Sequence, residues 1–216
     1  MSDSLVITRR DEQVVQSLCA RVRLMTLDQI AEHWWMDNKQ PNDDARRRLS
    51  SLIDAGLLNS STALAAPLPP MTEPVLSWLP GDEEPDCGAV AWKLQSRWTN
   101  GPRVVTVYLA TTKATRIFGG KARGYLKQEY QATHDLGVSQ MYLDLHRRSP
   151  ELAAAWIGED ILAPYRRRQK LPDAVVATSP EAQPTVVLEF GGAYDKPRVQ
   201  SFHEDCRDRG HAYELW

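Results

Sequence analysis

No apolar run in this 216-residue chain approaches the roughly 20 residues that a bilayer-spanning helix needs. The opening stretch MSDSLVITRR has no basic start followed by an apolar core, so no secretory leader is expected. Cysteine is scarce. Cys19, Cys87 and Cys206 are far apart and odd in number, which excludes a disulfide framework and points to reduced thiols in a cytoplasm. Neither sign of charge is in large excess: 26 Lys and Arg stand against 28 Asp and Glu, net −2. Any contact with nucleic acid must therefore come from local patches rather than a global field. There is no internal repeat and no low-complexity tail. What is present, 42% hydrophobic and 25% charged residues, is the composition of a globular chain long enough for one large domain or two small ones.

The first 60 residues carry the clearest helical pattern. Thr8, with Asp11 three residues on, reads as a helix start, followed by Val14, Val15, Leu18, Cys19 and Val22 at helical spacing. Thr26 with Gln29 repeats the signal and opens a helix with Leu27, Ile30, Ala31 and Trp34 on one side. Asn42, Asp43 and Asp44 begin a third, with Ala45, Leu49, Leu52 and Ile53 as its buried stripe and Gly56 just past its end. Three short helices and a strand-like LLNSS predict a winged helix-turn-helix.

Residues 59–86 are rich in proline and small residues, which predicts an extended excursion with turns. CGAVAWKLQSRW predicts a short helix from the spacing of Val90, Leu94 and Trp98. RVVTVYLAT predicts a strand, and the following TTKATRIFGG one or two helical turns. If residues 103–110 close the wing, 59–100 are a large insertion in it. Beyond Gly120 the pattern predicts helices over VSQMYLDLHRR and PELAAAWIGEDIL, with Pro150 in the first turn of the second. Strands over 173–177 and 185–190, a helix over 197–209 and a strand over 211–216 complete an α-β-β-α-β order.

Arg46, Arg47 and Arg48 lie between the buried positions Ala45 and Leu49, so they are expected to fan over the exposed arc of the third helix. In a helix-turn-helix that arc enters the major groove, where the planar guanidinium fits guanine edges and phosphates. Arg9, Arg10, Arg21 and Arg23 would add backbone contacts. The stretches ITRRDEQVVQSL, MTLDQIAEHWW and ARRRLSSLIDAGLL resemble the start of the replication-relaxation family. VYLATTKATRIFGG, THDLGVSQMYLDL and LPDAVV…VVLEF fit that family's general layout. The resemblance implies an N-terminal winged helix and a DNA-binding accessory of replication or mobilisation of a plasmid or other mobile element.

Pro172-Asp173 at one strand and Glu189 at the end of the next, in the α-β-β-α-β order, resemble the PD-(D/E)XK nuclease superfamily. There a carboxylate on each of two neighbouring strands holds Mg²⁺, which activates a water for attack on phosphate. A lysine two residues after the second acid assists. Here that position is Gly191. Lys196 and Lys170 are the nearest substitutes, and Glu159 is a candidate third acid. The run Arg166, Arg167 and Arg168, with Lys170, precedes the Pro-Asp strand and is a candidate phosphate contact. His203, Cys206 and His211 lack a fourth ligand and any CxxC, so zinc is not expected. The tryptophans of SWLPGDEEPD and YELW read as core anchors.

The sequence therefore predicts an α+β chain. A winged-helix DNA-binding domain spans 1–120, and a nuclease-like α/β domain spans 121–216 and is inactive for want of its lysine. Expected partners are double-stranded DNA, a second copy of the chain as in most winged-helix dimers, and a protein docked on the second domain. No cofactor is expected. The rival reading is a Mg²⁺-dependent DNA endonuclease using Asp173 and Glu189, with Lys196 and Glu159.

Overall fold

The computed structural model describes residues 5–121, 131–166 and 169–216, and it is a mixed α+β protein with two sheets. In chain order the elements begin with α1 (Arg9–Ala20), β1 (Met25–Thr26), α2 (Leu27–Trp34), α3 (Pro41–Asp54), β2 (Leu58–Ala65) and β3 (Leu76–Trp78). They continue with α4 (Cys87–Ser96), β4 (Arg103–Ala110), α5 (Thr112–Phe118), α6 (Ala132–Arg148), α7 (Pro150–Ala154) and β5 (Trp156–Gly158). The last are α8 (Glu159–Leu162), β6 (Ala174–Val176), β7 (Val186–Glu189), α9 (Lys196–Asp208) and β8 (Tyr213–Leu215).

The chain divides into two units interleaved in sequence. The first comprises Met1–Ala66 and Pro102–Ser139, the second Pro67–Gly101 and Gln140–Trp216. This differs from a simple cut at residue 120. The expected wing insertion supplies β3 and α4 to the second unit instead. The chain leaves the β2–β4 ribbon at its tip and returns to it after residue 101.

In the first unit, both expected capping boxes form. The Asp11 N–H donates to the Thr8 hydroxyl at 3.3 Å and the Thr8 N–H to the Asp11 carboxylate at 2.7 Å. The Thr26 and Gln29 pair does the same at 3.1 and 3.2 Å. Helix α3 starts at Pro41 after Gln40, with no side-chain cap, slightly earlier than Asn42. It ends in a Schellman turn: Gly56 sits at φ 69°, its N–H donates to the Ile53 carbonyl at 2.7 Å, and the Leu57 N–H donates to the Leu52 carbonyl at 2.9 Å. The sheet order is β1-β4-β2, all antiparallel, with Leu58 opposite Ala110 and Ala65 opposite Arg103. Val14, Val15, Leu18, Ile30, Leu49, Leu52, Leu58 and Leu109 are buried, while Ile53 is only half-buried. At about 1.5–3 kcal/mol for each large side chain, this burial is what holds the short helices together.

The second unit is a five-stranded sheet of order β3-β8-β7-β6-β5, in which β7 and β8 run parallel and the other pairs antiparallel. Helices α4 and α9 pack on one another. Leu94, Val175, Val187, Val199, Phe202 and Leu215 share one core. PELAAAWIGEDIL is not one helix. Its centre, Trp156–Gly158, is the edge strand β5, paired with Ala174–Val176. Trp78 and Trp216 are buried, as core anchors should be. Among the described residues no helix is long and apolar enough to cross a membrane.

Candidate functional site

Two surfaces collect the residues singled out by sequence. The first lies on α3 and the N-terminus of α1. Alternation of buried Ala45, Leu49 and Leu52 turns Arg46 and Arg47 outward, with side chains 61% and 76% exposed. Among the described residues each is bonded only to an acid three residues earlier: Arg46 to Asp43 at 2.9 Å, and Arg47 to Asp44. Exposed pairs of this kind are worth about 0–1 kcal/mol, so an incoming phosphate can replace them.

Arg48 departs from the expectation. Its Nε donates to the Asp11 carboxylate at 2.8 Å, and its terminal nitrogen bonds Asp11 again and the Val6 carbonyl at 2.6 Å. Asp11 is fully buried and Arg48 only 26% exposed. Burial alone would push the Asp11 carboxyl up, but the Arg48 guanidinium and the Thr8 hydroxyl and N–H outweigh it and hold it below its ordinary value. Arg48 thus ties α3 to α1 and faces inward. Arg9 and Arg10 are exposed, and the Arg10 guanidinium stacks 4.8 Å above the Trp35 ring. With Arg47, Arg48, Asn38 and Ser51 they border an open groove of about 700 Å³. Arg23 is committed to Asp135 at 3.0 Å. By sequence the first unit holds 14 Lys and Arg against 11 Asp and Glu, net +3, and the second 12 against 17, net −5. The near-neutral total conceals this asymmetry.

The second surface is at the ends of β6 and β7. Asp173 and Glu189 are brought together and both are buried. The Phe190 N–H donates to Asp173 Oδ2 at 2.8 Å, and the Asp173 N–H donates to Glu189 Oε2 at 3.2 Å. The Tyr194 hydroxyl donates to Glu189 Oε1 at 2.6 Å. Burial, then the neighbouring Glu189 carboxylate, push the Tyr194 hydroxyl far up, so it stays a donor at any ordinary pH.

Two residues after Glu189, packing disfavours any side chain. A Cβ at Gly191 would lie 3.0 Å from both Leu215 Cδ1 and Leu94 Cδ1. Lys196 opens α9 and its stem lies near Gly88, where its charge acts on Asp86, the N-cap of α4. Lys170 donates to the hydroxyl of Ser201 at 2.5 Å and to its carbonyl. The Glu159 N–H donates to the Asp173 carbonyl at 2.8 Å. Among the described residues no three His, Cys, Asp or Glu side chains converge as a metal-ligand group, so Glu159 does not complete the acid pair. Three carboxylate oxygens of this pair already accept hydrogen bonds, so this donor set does not fit a catalytic Mg²⁺. His203 is also committed, Nε2 to Glu84 at 2.7 Å and Nδ1 to the Tyr213 hydroxyl at 2.9 Å.

Beside the acid pair a cleft of about 280 Å³ opens between the segment preceding β6, β7 and α9. Arg166, Lys170, Arg198, Arg209 and His211 reach it. Arg167 and Arg168 lie outside the described residues. Tyr194, Arg198 and Arg209 were not singled out by sequence, and His211 was weighed there only as a metal ligand. The signal was there in α9, where Arg198, Ser201, Phe202 and Asp205 recur at helical spacing and point one way, with Arg209 just beyond them. No family model, characterised protein or solved structure matches this chain, so its function must be read from its own geometry.

Proposed function

We propose that the chain is a DNA-binding protein of winged-helix type, acting in transcriptional control or as an accessory in replication or mobilisation of a genetic element. The observation that carries the reading is the placement of Arg46 and Arg47 on the outward arc of the third helix of a unit with net charge +3. The element order α1-β1-α2-α3-β2-β4, with β4 between β1 and β2, supports a winged-helix assignment. In that arrangement the third helix enters the major groove and the β2–β4 ribbon is the wing. Arg9 and Arg10, exposed at the start of α1, would contact the flanking backbone.

The second unit is proposed to be nuclease-like and silent. Its acids are held by backbone N–H groups and Tyr194, and Leu94 and Leu215 fill the space where a lysine would stand.

The test is the affinity of the full chain for a duplex selected from random sequence. Arg46→Ala and Arg47→Ala together should lose about tenfold or more in affinity. Their unfolding midpoint should stay within about 0.5 kcal/mol of the wild type, because both side chains are exposed. Undiminished affinity in the double variant refutes the recognition-helix reading.

A further inference from the structure

The cleft in the second unit carries cations that the fold itself does not neutralise. Arg209 is paired with Asp205 at 3.2 Å. Arg166, Lys170 and Arg198 have no carboxylate partner among the described residues. Lys170 donates only to the Ser201 carbonyl and hydroxyl, and Arg198 stacks 4.0 Å over the Tyr194 ring. The Arg166 Nε and the His211 Nδ1 are both shielded from solvent and make no hydrogen bond. A shielded guanidinium nitrogen without an acceptor costs stability, about 1–3 kcal/mol or more for a charged group. The unsatisfied Arg166 Nε–H at this cleft calls for an acceptor from outside the chain, and His211 Nδ1 joins it as a donor in the tautomer that carries the proton there. Like charge converges there as well: burial, then the Arg209 charge, hold Arg166 below its ordinary range, although the Asp205 carboxylate acts the other way on both Arg166 and His211. Burial, then Arg166 and Arg209, hold His211 down.

We propose that this cleft binds a phosphate monoester carried on a group the size of a mononucleotide. Its donor set is two or three guanidinium groups, an ammonium and an imidazole, which matches a compact dianion with several acceptor oxygens. Leu171, Pro172, Val187 and Phe202 supply an apolar wall beside these groups. That wall suits the sugar or base attached to the phosphate. At about 280 Å³ the cleft admits one such group and not a duplex. Glu189 faces the cleft with its Oε1 covered by the Tyr194 hydroxyl, so the carboxylate repels the anion less than a bare one. The ligand has two sources, a free nucleoside monophosphate or the 5′-phosphorylated end of a DNA strand. The inference does not depend on the reading of α3, which lies in the other unit.

The experiment is calorimetric titration of the full chain with adenosine monophosphate, adenosine, and a trinucleotide with and without a 5′-phosphate. The phosphorylated ligands should bind about tenfold or more tightly than their unphosphorylated counterparts. Arg166→Ala should reduce that binding about tenfold or more and leave the unfolding midpoint unchanged or raised. The Arg46→Ala, Arg47→Ala variant should bind these ligands like the wild type, which separates this cleft from the duplex-binding face. Tighter binding of the phosphorylated trinucleotide than of the monophosphate assigns the cleft to a DNA end, and equal binding to a free nucleotide. No binding at millimolar ligand, equal binding with and without phosphate, or full affinity in Arg166→Ala overturns the proposal.

Discussion

A single carbon at position 191 tests whether packing excludes a side chain there. Gly191 lies at the end of β7, and an added Cβ would meet Leu215 Cδ1 and Leu94 Cδ1 at 3.0 Å and Leu94 Cδ2 at 3.2 Å. Carbon atoms prefer separations of about 3.5–4.0 Å, so the overlap is about 0.3–1 Å. Both leucines are fully buried and cannot swing into solvent. Overpacking of this kind costs about 1–3 kcal/mol. Gly191 is not among the residues with positive φ, so alanine also narrows the unfolded ensemble and returns about 0.4–1 kcal/mol. Gly191→Ala should therefore destabilise by about 0.5–2 kcal/mol in urea unfolding followed by circular dichroism. Gly191→Lys should do more, since it also buries an ammonium, and it should produce no cleavage of DNA. Leu94→Ala alone should cost about 2–5 kcal/mol. Combined with Gly191→Ala it should cost less than the sum by about 0.5 kcal/mol or more, because the cavity accepts the new methyl. Strict additivity, or a Gly191→Ala protein as stable as the wild type, refutes the claim that Leu94 and Leu215 crowd out a side chain at 191.

Three further outcomes are expected. Arg48→Ala leaves the buried Asp11 carboxylate without its cation and should destabilise the first unit by about 2–4 kcal/mol, at the lower side of buried pairs because Arg48 is a quarter exposed. The Asp11 carboxyl is held below its ordinary value in the folded protein. Its contribution is thus fully present above its unfolded pKa of about 3.9, and it is lost as pH falls through the lower folded value. An unfolding series from pH 5 to pH 2 should show that loss in the wild type and a smaller one in Arg48→Ala. Tyr194→Phe removes one donor from buried Glu189 and should cost about 1–2 kcal/mol without inducing metal-dependent cutting of plasmid DNA. Cutting by the wild type in Mg²⁺, abolished by both Asp173→Ala and Glu189→Ala, would contradict the silent reading of this unit.

The parts of the fold that were legible in sequence are those fixed by local chemistry. Thr8 with Asp11, Thr26 with Gln29, and Gly56 marked helix ends because capping bonds span only a few residues. Trp156–Gly158 was hidden inside a helical pattern. It is a strand only because Ala174–Val176 lies beside it, a pairing across the sheet that no local window contains. The partition of residues 67–101 into the second unit was hidden for the same reason, since β3 pairs with β8 at the far end of the chain. At the site, the proximity of Asp173 and Glu189 followed from two adjacent strands, but their hydrogen bonds to Phe190, Tyr194 and each other's strand did not. Arg48 shared a triplet with Arg46 and Arg47 in sequence. A turn of about 100° per residue sent it inward to Asp11 while they faced out.

The central claim is that α3 meets DNA through Arg46 and Arg47. Its most direct measurement is the salt dependence of duplex binding, as the slope of log K against log salt concentration, for the wild type and for the Arg46→Ala, Arg47→Ala variant. If each arginine neutralises one phosphate, the variant binds more weakly and its slope is shallower by about 2, at roughly 0.9 for each contact. If one reads a base edge instead, the slope changes by about 1 and discrimination against mismatched duplex falls. A variant with the affinity, slope and mismatch discrimination of the wild type contradicts the account.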